Sequence, residues 1–187
     1  IYRLMCVIIF FLLVIFTSGI QASESHFSTA GFYELANSGR EVYNMNVGWR
    51  FYKGSCPDAW QREFDDSSWE VVSIPHGLEL LPEEASGNIN YQGRAWYRKN
   101  FSVPANLKDK KVYLHFEGIM GKSRIWLNGK LLKEHFNGYL PIIADVTEDL
   151  NFEMENTLSI CADNSDDPSF LPGKPQQALD FTYFGGI

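Results

Sequence analysis

From Lys111 to Thr147 (KVYLHFEGIMGKSRIWLNGKLLKEHFNGYLPIIADVT) apolar and polar positions alternate with the period of β-strands. Val112, Leu114 and Phe116 take turns with Tyr113, His115 and Glu117, which puts one face on a core and the other against polar surroundings. Gly118 and Gly121 interrupt the run, and an extended, aromatic-rich segment resumes from Arg124 to Leu127, just before Asn128-Gly129. Both central residues of a type I′ turn need positive φ, which Asn and Gly tolerate, so this dipeptide predicts a tight hairpin returning over Lys130 to Lys133. Asn137 to Pro141 predicts a further turn leading into Ile142-Ile143. The stretch therefore predicts antiparallel β structure.

The same reading makes Asn44 to Tyr52 the first strand, Ala95 to Val103 an alternating strand closed by Pro104, and Asn156 to Asp163 the last clear strand. Gly54 to Ser68, with Pro57 and the acidic Glu63, Asp65 and Asp66, reads as a solvated loop. Leu78 to Gly93 reads as a long loop, and Asp163 to Gln177, with its prolines and no apolar period, as another. Short strands of about five residues with turns every 8–12 or so predict an all-β sandwich. Nothing reads as a long helix or an internal repeat. Trp49, Trp69, Trp96 and Trp126 sit in strand-like patterns and are expected in the core, while Arg98 is expected to pair with an acidic residue on a neighbouring strand.

Composition adjusts this picture at three points. The 187 residues leave room for one domain and a tail. A formal charge of −7 without a basic stripe argues against nucleic acid as a partner. Residues 1–22 differ from the rest: Arg3 is their only charge, Cys6 to Phe16 is an unbroken apolar run, and Thr17 to Ala22 is small and polar. That is the pattern of a secretory signal peptide, with a retained anchor as the second reading. The expected protein is thus exported, periplasmic or extracellular, and free of the membrane after cleavage. Residues 23–43 are a lead-in segment and 44–187 the domain. Cys56 and Cys161 are either a disulfide or a loop thiol and a strand filler. His26, His76, His115 and His135 are far apart in sequence and no metal spacing is present.

The run FEGIMGKSRIWLNGKLLKEHFNGYLPIIADVT resembles the N-terminal sugar-binding domain of family 2 glycoside hydrolases, the group of β-galactosidases, β-glucuronidases and β-mannosidases. Asn46 to Phe51 looks like the family's opening strand, Trp69 to His76 (WEVVSIPH) like its segment ending in Pro-His, and Gly93 to Phe101 (GRAWYRKNF) like its Trp-Tyr-Arg strand. Leu179 to Ile187 (LDFTYFGGI) is similar to the stretch before the family's Gly-Ile-Tyr-Arg-like sequence.

The resemblance implies a jelly-roll β-sandwich, galactose-binding-domain-like, standing before an immunoglobulin-like domain and a catalytic (β/α)8 barrel. It implies a non-catalytic domain of an exported retaining hydrolase acting on terminal β-linked sugars. The chain begins with Ile and stops inside a family motif, so it is expected to be truncated at its C-terminus. Glycoside hydrolysis needs two carboxyl groups flanking the scissile bond. The family's acid/base glutamate usually follows an Asn, and this sequence has no Asn-Glu dipeptide, so no catalytic residue is assigned. By resemblance Asp180 matches an aspartate sent into the barrel's pocket to hold a sugar hydroxyl, the alternative being a loop Asp capping a turn. Asn88, Asn90 and Tyr91 are further sugar-contact candidates, or else turn formers in a surface loop. No cofactor is called for, and a cation completed by residues outside this sequence is left open, as is a homo-oligomer. The rival reading is a free-standing carbohydrate-binding module or an exported scaffold or adhesion sandwich.

Overall fold

The computed structural model describes residues 39–79, 90–169, 171, 173–175, 178–179 and 183–187. Eight strands appear in chain order: β1 (Trp49–Lys53), β2 (Glu70–Val72), β3 (Arg94–Phe101), β4 (Tyr113–Phe116), β5 (Lys122–Leu127), β6 (Lys130–Phe136), β7 (Ile142–Asp145) and β8 (Asn156–Asp163). A short 3₁₀ turn, Ala105–Leu107, follows Pro104. Six strands form one antiparallel sheet in the order β2-β1-β3-β8-β5-β6, and β4 pairs with β7 in a second.

Alternation explains why the two sheets face each other. Ser123, Ile125 and Leu127 of β5, Leu114 and Phe116 of β4, and Ile142 and Ala144 of β7 all turn inward. The apolar ones meet Trp49, Phe51, Tyr97, Phe101, Leu158 and Ile160 in one hydrophobic core. A fully buried Ile or Leu of this kind contributes roughly 1.5–3 kcal/mol relative to exposure. The expected all-β, sandwich-like arrangement is therefore present.

Several local expectations hold. Asn128 has φ 53° and Gly129 φ 82°, the two positive values that the hairpin between β5 and β6 requires. Asn128 also reaches beyond its turn: its Oδ1 accepts from Thr157 N at 2.9 Å and its Nδ2 donates to Asn156 Oδ1 at 2.9 Å, which locks the hairpin to β8. The Gly118–Gly121 bend carries the chain from one sheet to the other. Gly121 has φ 90°, and a Cβ there would lie 2.2 Å from Asp163 O, so only glycine fits the crossing.

Others need correction. The first strand begins at Trp49 and not Asn44, because Gly48 takes a left-handed φ of 78° and breaks the extended backbone just before it. β3 and β8 do not alternate but are buried on both faces. The reason is the 54–68 loop, which is not a free solvated loop. It folds back over the outer face and encloses a second cluster of Ala59, Trp69, Trp96 and Cys161, with Cys56, Phe64 and Trp126 packed against it. Of the four tryptophans expected in the core, Trp49, Trp69 and Trp96 are buried and Trp126 is half-buried.

Arg98 fastens that loop. Only 1% exposed, its guanidinium reaches the carbonyls of Ala59, Gln61, Arg62 and Phe64 and the Ser159 hydroxyl, and its Nε donates to Asp66 Oδ2 at 2.7 Å. The expected acidic partner thus sits in the loop and not on a neighbouring strand. A planar fork with five N–H donors can collect that many oxygens, and a charge so buried has to be neutralised. Cys56 and Cys161 are both free thiols, so of the two readings the loop thiol and strand filler stands.

The signal-peptide segment 1–22 and residues 23–38 of the lead-in lie outside the described residues. Among the described residues no helix is long and apolar enough to cross a membrane.

Candidate functional site

The chain's last described residues are stitched into the middle of the fold. His76 N donates to Ile187 O at 2.7 Å, Ile187 N returns to His76 O at 3.2 Å, Leu78 N donates to Gly185 O at 2.9 Å, and Met120 N donates to Gly186 O at 3.1 Å. The Gly185-Gly186 pair follows from this closeness. A Cβ on Gly186 would stand 1.9 Å from His76 O, and one on Gly185 would meet Leu78 Cδ1 at 2.5 Å and Asn164 Nδ2 at 2.7 Å.

Around this seam the loops before β3 and after β8 converge in a polar cluster. Asn164, just past β8 and 2% exposed, accepts from Gly93 N at 2.9 Å and donates to Tyr91 O at 2.8 Å. Asn90 is buried and donates to Tyr183 O at 2.8 Å, while Gln92 Nε2 donates to Asn90 Oδ1 at 3.2 Å. The Tyr183 hydroxyl donates to Asp166 Oδ1 at 2.7 Å. Burial, and then the neighbouring Asp166 carboxylate, push the Tyr183 phenol well above its usual range, so it stays protonated and a donor. The Tyr91 N–H donates to Glu79 Oε2 at 2.7 Å, its hydroxyl to Arg94 O at 2.8 Å, and the Lys53 ammonium lies 5.3 Å from its ring centroid.

Of the sequence-predicted site residues, Asn90 and Tyr91 come together here and both make internal hydrogen bonds. Asn88 and Asp180 lie outside the described residues. Leu179 and Tyr183, on either side of residues 180–182, are described, and Tyr183 is a member of the cluster. Asn164, Gln92 and Asp166 were not singled out from sequence. Polar residues in Pro- and Asn-rich stretches read as solvated loop, and nothing local signals that Asn164 spans two chain segments more than 70 positions apart. Among the described residues no group of three or more His, Cys, Asp or Glu is placed to hold a metal ion.

Residues 82–169 match the family model described as glycosyl hydrolase 2 galactose-binding domain-like. A β-galactosidase from Thermoanaerobacter pseudethanolicus is 36% identical over 150 residues, which is 80% of this chain and 20% of that protein. A β-glucuronidase from Formosa agariphila is 31% identical over 149 residues, 75% of this chain and 15% of that protein. The crystal structure of a Bacteroides uniformis β-glucuronidase superimposes with a TM-score of 0.65 at 33% identity, covering 76% of this chain and 16% of that one. The chain thus spans about a fifth or less of the length of these relatives. Its all-β, two-sheet fold and these matches agree: residues 82–169 carry a glycosyl hydrolase 2 galactose-binding domain-like module.

Proposed function

We propose that this module is the non-catalytic N-terminal part of an exported retaining glycoside hydrolase that removes terminal β-linked galactose or glucuronic acid. The observation that carries it is the family match over residues 82–169, together with 36% and 31% identity to a β-galactosidase and a β-glucuronidase of which the chain spans only a small share. In this reading the finer form of the fold is a jelly roll, residues 1–22 are a signal peptide, 23–43 a lead-in and 44–187 the domain. The protein works in the periplasm or outside the cell. The two carboxyl groups that hydrolysis requires belong to a barrel domain outside this sequence.

The domain's own contribution to the substrate is Asp180. An ionised carboxylate is a strong acceptor for a sugar hydroxyl. The reading is supported by Tyr183, three residues on, which belongs to a cluster of buried amides and a carboxylate able to fix the loop's course. Such fixing matters because a binding group must be held within a fraction of an ångström to be useful.

The test is hydrolysis of aryl β-galactosides, β-glucuronides and β-mannosides by this chain and by the full-length gene product, side by side. Only the full-length protein should cleave, and Asp180→Asn in it should lower kcat/KM by about 10- to 100-fold, as expected for losing a hydrogen bond to a charged group. An unchanged kcat/KM on every sugar cleaved would remove Asp180 from the substrate. If neither protein cleaves but the chain binds sugars, the free-standing binding module is the better reading.

A further inference from the structure

β2 stops short of β1. Its first residue, Glu70, sits opposite Phe51, so Tyr52 and Lys53 run on with β3 as their partner on the other side. The gap so left is a shallow groove of about 530 Å3, bounded by Trp69 and Glu70 on one side and by the His76–Glu79 segment on the other. Its floor is aromatic. Tyr52 stacks on Trp69, ring centroids 5.3 Å apart and planes at 26°, and keeps 41% of its surface exposed. Gly54 lies beside the hydroxyl end of the ring, where a Cβ would come within 3.2 Å of Cε1. The ring is therefore ordered before any ligand arrives, which spares a binding event that entropic cost.

Polar groups stand around this floor. Lys53 and Glu79 pair only loosely, at 3.9 Å with both side chains more than a third exposed, so giving up that pair for a ligand costs little. Glu70 adds a second carboxylate. The Nδ1 of His76 is engaged by the Tyr97 hydroxyl at 2.9 Å, which leaves Nε2 as the ring nitrogen for a partner. A floor with a partly exposed aromatic ring, two carboxylate acceptors, one ammonium and one imidazole suits a molecule with an apolar C–H face and a rim of hydroxyls. That is a pyranose. Two carboxylates against one ammonium disfavour phosphate and other anions.

We propose that the groove formed by Tyr52, Trp69, Lys53, Glu70, His76 and Glu79 is an accessory subsite for one neutral pyranose unit of a β-linked glycan. The proposal rests on the reading that the parent protein acts on glycans. Glu79 ties the groove to the loop cluster, because its other oxygen accepts the Tyr91 N–H. The subsite would hold a unit of the glycan apart from the one being cleaved.

The experiment has two arms. In the first, the chain is titrated with β-1,4-galactotriose and with cellotriose by heteronuclear NMR. Binding should perturb residues 52–53, 68–70 and 76–79. Tyr52→Ala should weaken it about tenfold, Tyr52→Phe should leave it unchanged, and Glu70→Gln, on an exposed edge, should weaken it a few-fold. Failure of both trisaccharides to bind, or a Tyr52→Ala chain that binds as tightly as the parent, overturns the proposal. In the second arm, full-length protein carrying Tyr52→Ala should lose kcat/KM on the trisaccharide but not on an aryl monosaccharide glycoside. Equal activity on both would sink the subsite while leaving the proposed hydrolase intact. A gene product without hydrolysis, whose chain still binds trisaccharide through Tyr52, would sink the hydrolase and leave the subsite standing.

Discussion

Two loop regions are laid over this sheet, and different chemistry fastens each. The 54–68 loop is held by a cation, Arg98, which gathers four loop carbonyls and needs Asp66 as its counter-ion. The cluster formed by residues 90–93, 164–166 and 183–187 is held in part by a neutral amide, Asn164, which bridges the backbone at Gly93 and Tyr91. Both anchors are 2% exposed or less. The difference follows from donor count. A guanidinium has only donors and so collects several carbonyls, whereas a carboxamide has a donor and an acceptor and so joins an N–H to a C=O. The first arrangement fixes a long cover at many points and depends on one charge pair. The second fixes two points and needs no counter-ion.

The sharpest way to break this comparison is Arg98→Met. It leaves Asp66 without its partner and several carbonyls without a donor, and should lower stability by about 3–5 kcal/mol in urea denaturation of the chain. A loss under about 1 kcal/mol would mean that the packing of Phe64 and Trp69 holds the loop without the cation. Asn164→Ala should have a smaller effect, about 1–3 kcal/mol, from the unpaired Gly93 N–H and Tyr91 C=O. The mildest readout follows a side chain that neither substitution replaces. Burial pushes the Cys161 thiol up to about 11, so at pH 8 almost none of it is the reactive thiolate. A thiol reagent at that pH should label Cys56 well before Cys161. Arg98→Met should expose Cys161 to the reagent and Asn164→Ala should not, because only the first lifts the cover from the cluster that contains it. Equal acceleration in both variants would show that the two regions open together.

How much of this was legible in the sequence depends on how local its cause is. The Asn128-Gly129 turn, the bounds of β8 and the inward positions of β4 were readable, because backbone preference and period two act over a few residues. The true start of β1 was missed because Gly48, read as an ordinary strand residue, adopts a left-handed φ. Burial of β3 on both faces was missed because it depends on a loop that comes back over the sheet from 30 or more positions away in the chain, pinned by Arg98. At the candidate site the family's glycine pair was visible, but its reason, the His76 carbonyl lying where a side chain would be, is a contact between residues 110 positions apart. The groove beside Tyr52 has no local mark in the sequence, since it is made by where β2 ends.

The sheet order carries a consequence for how the molecule is made. β8 lies between β3 and β5, and it pairs with each along its length. Until residue 163 has left the ribosome, β1 to β3 and the β5–β6 hairpin have no shared strand, and each presents a wide, partly apolar edge. The strand that completes the sheet is the last of the eight to be synthesised. Closure therefore waits on contacts distant in sequence, which slow folding. A nascent chain of this kind has to be kept from pairing with others through those edges until β8 arrives.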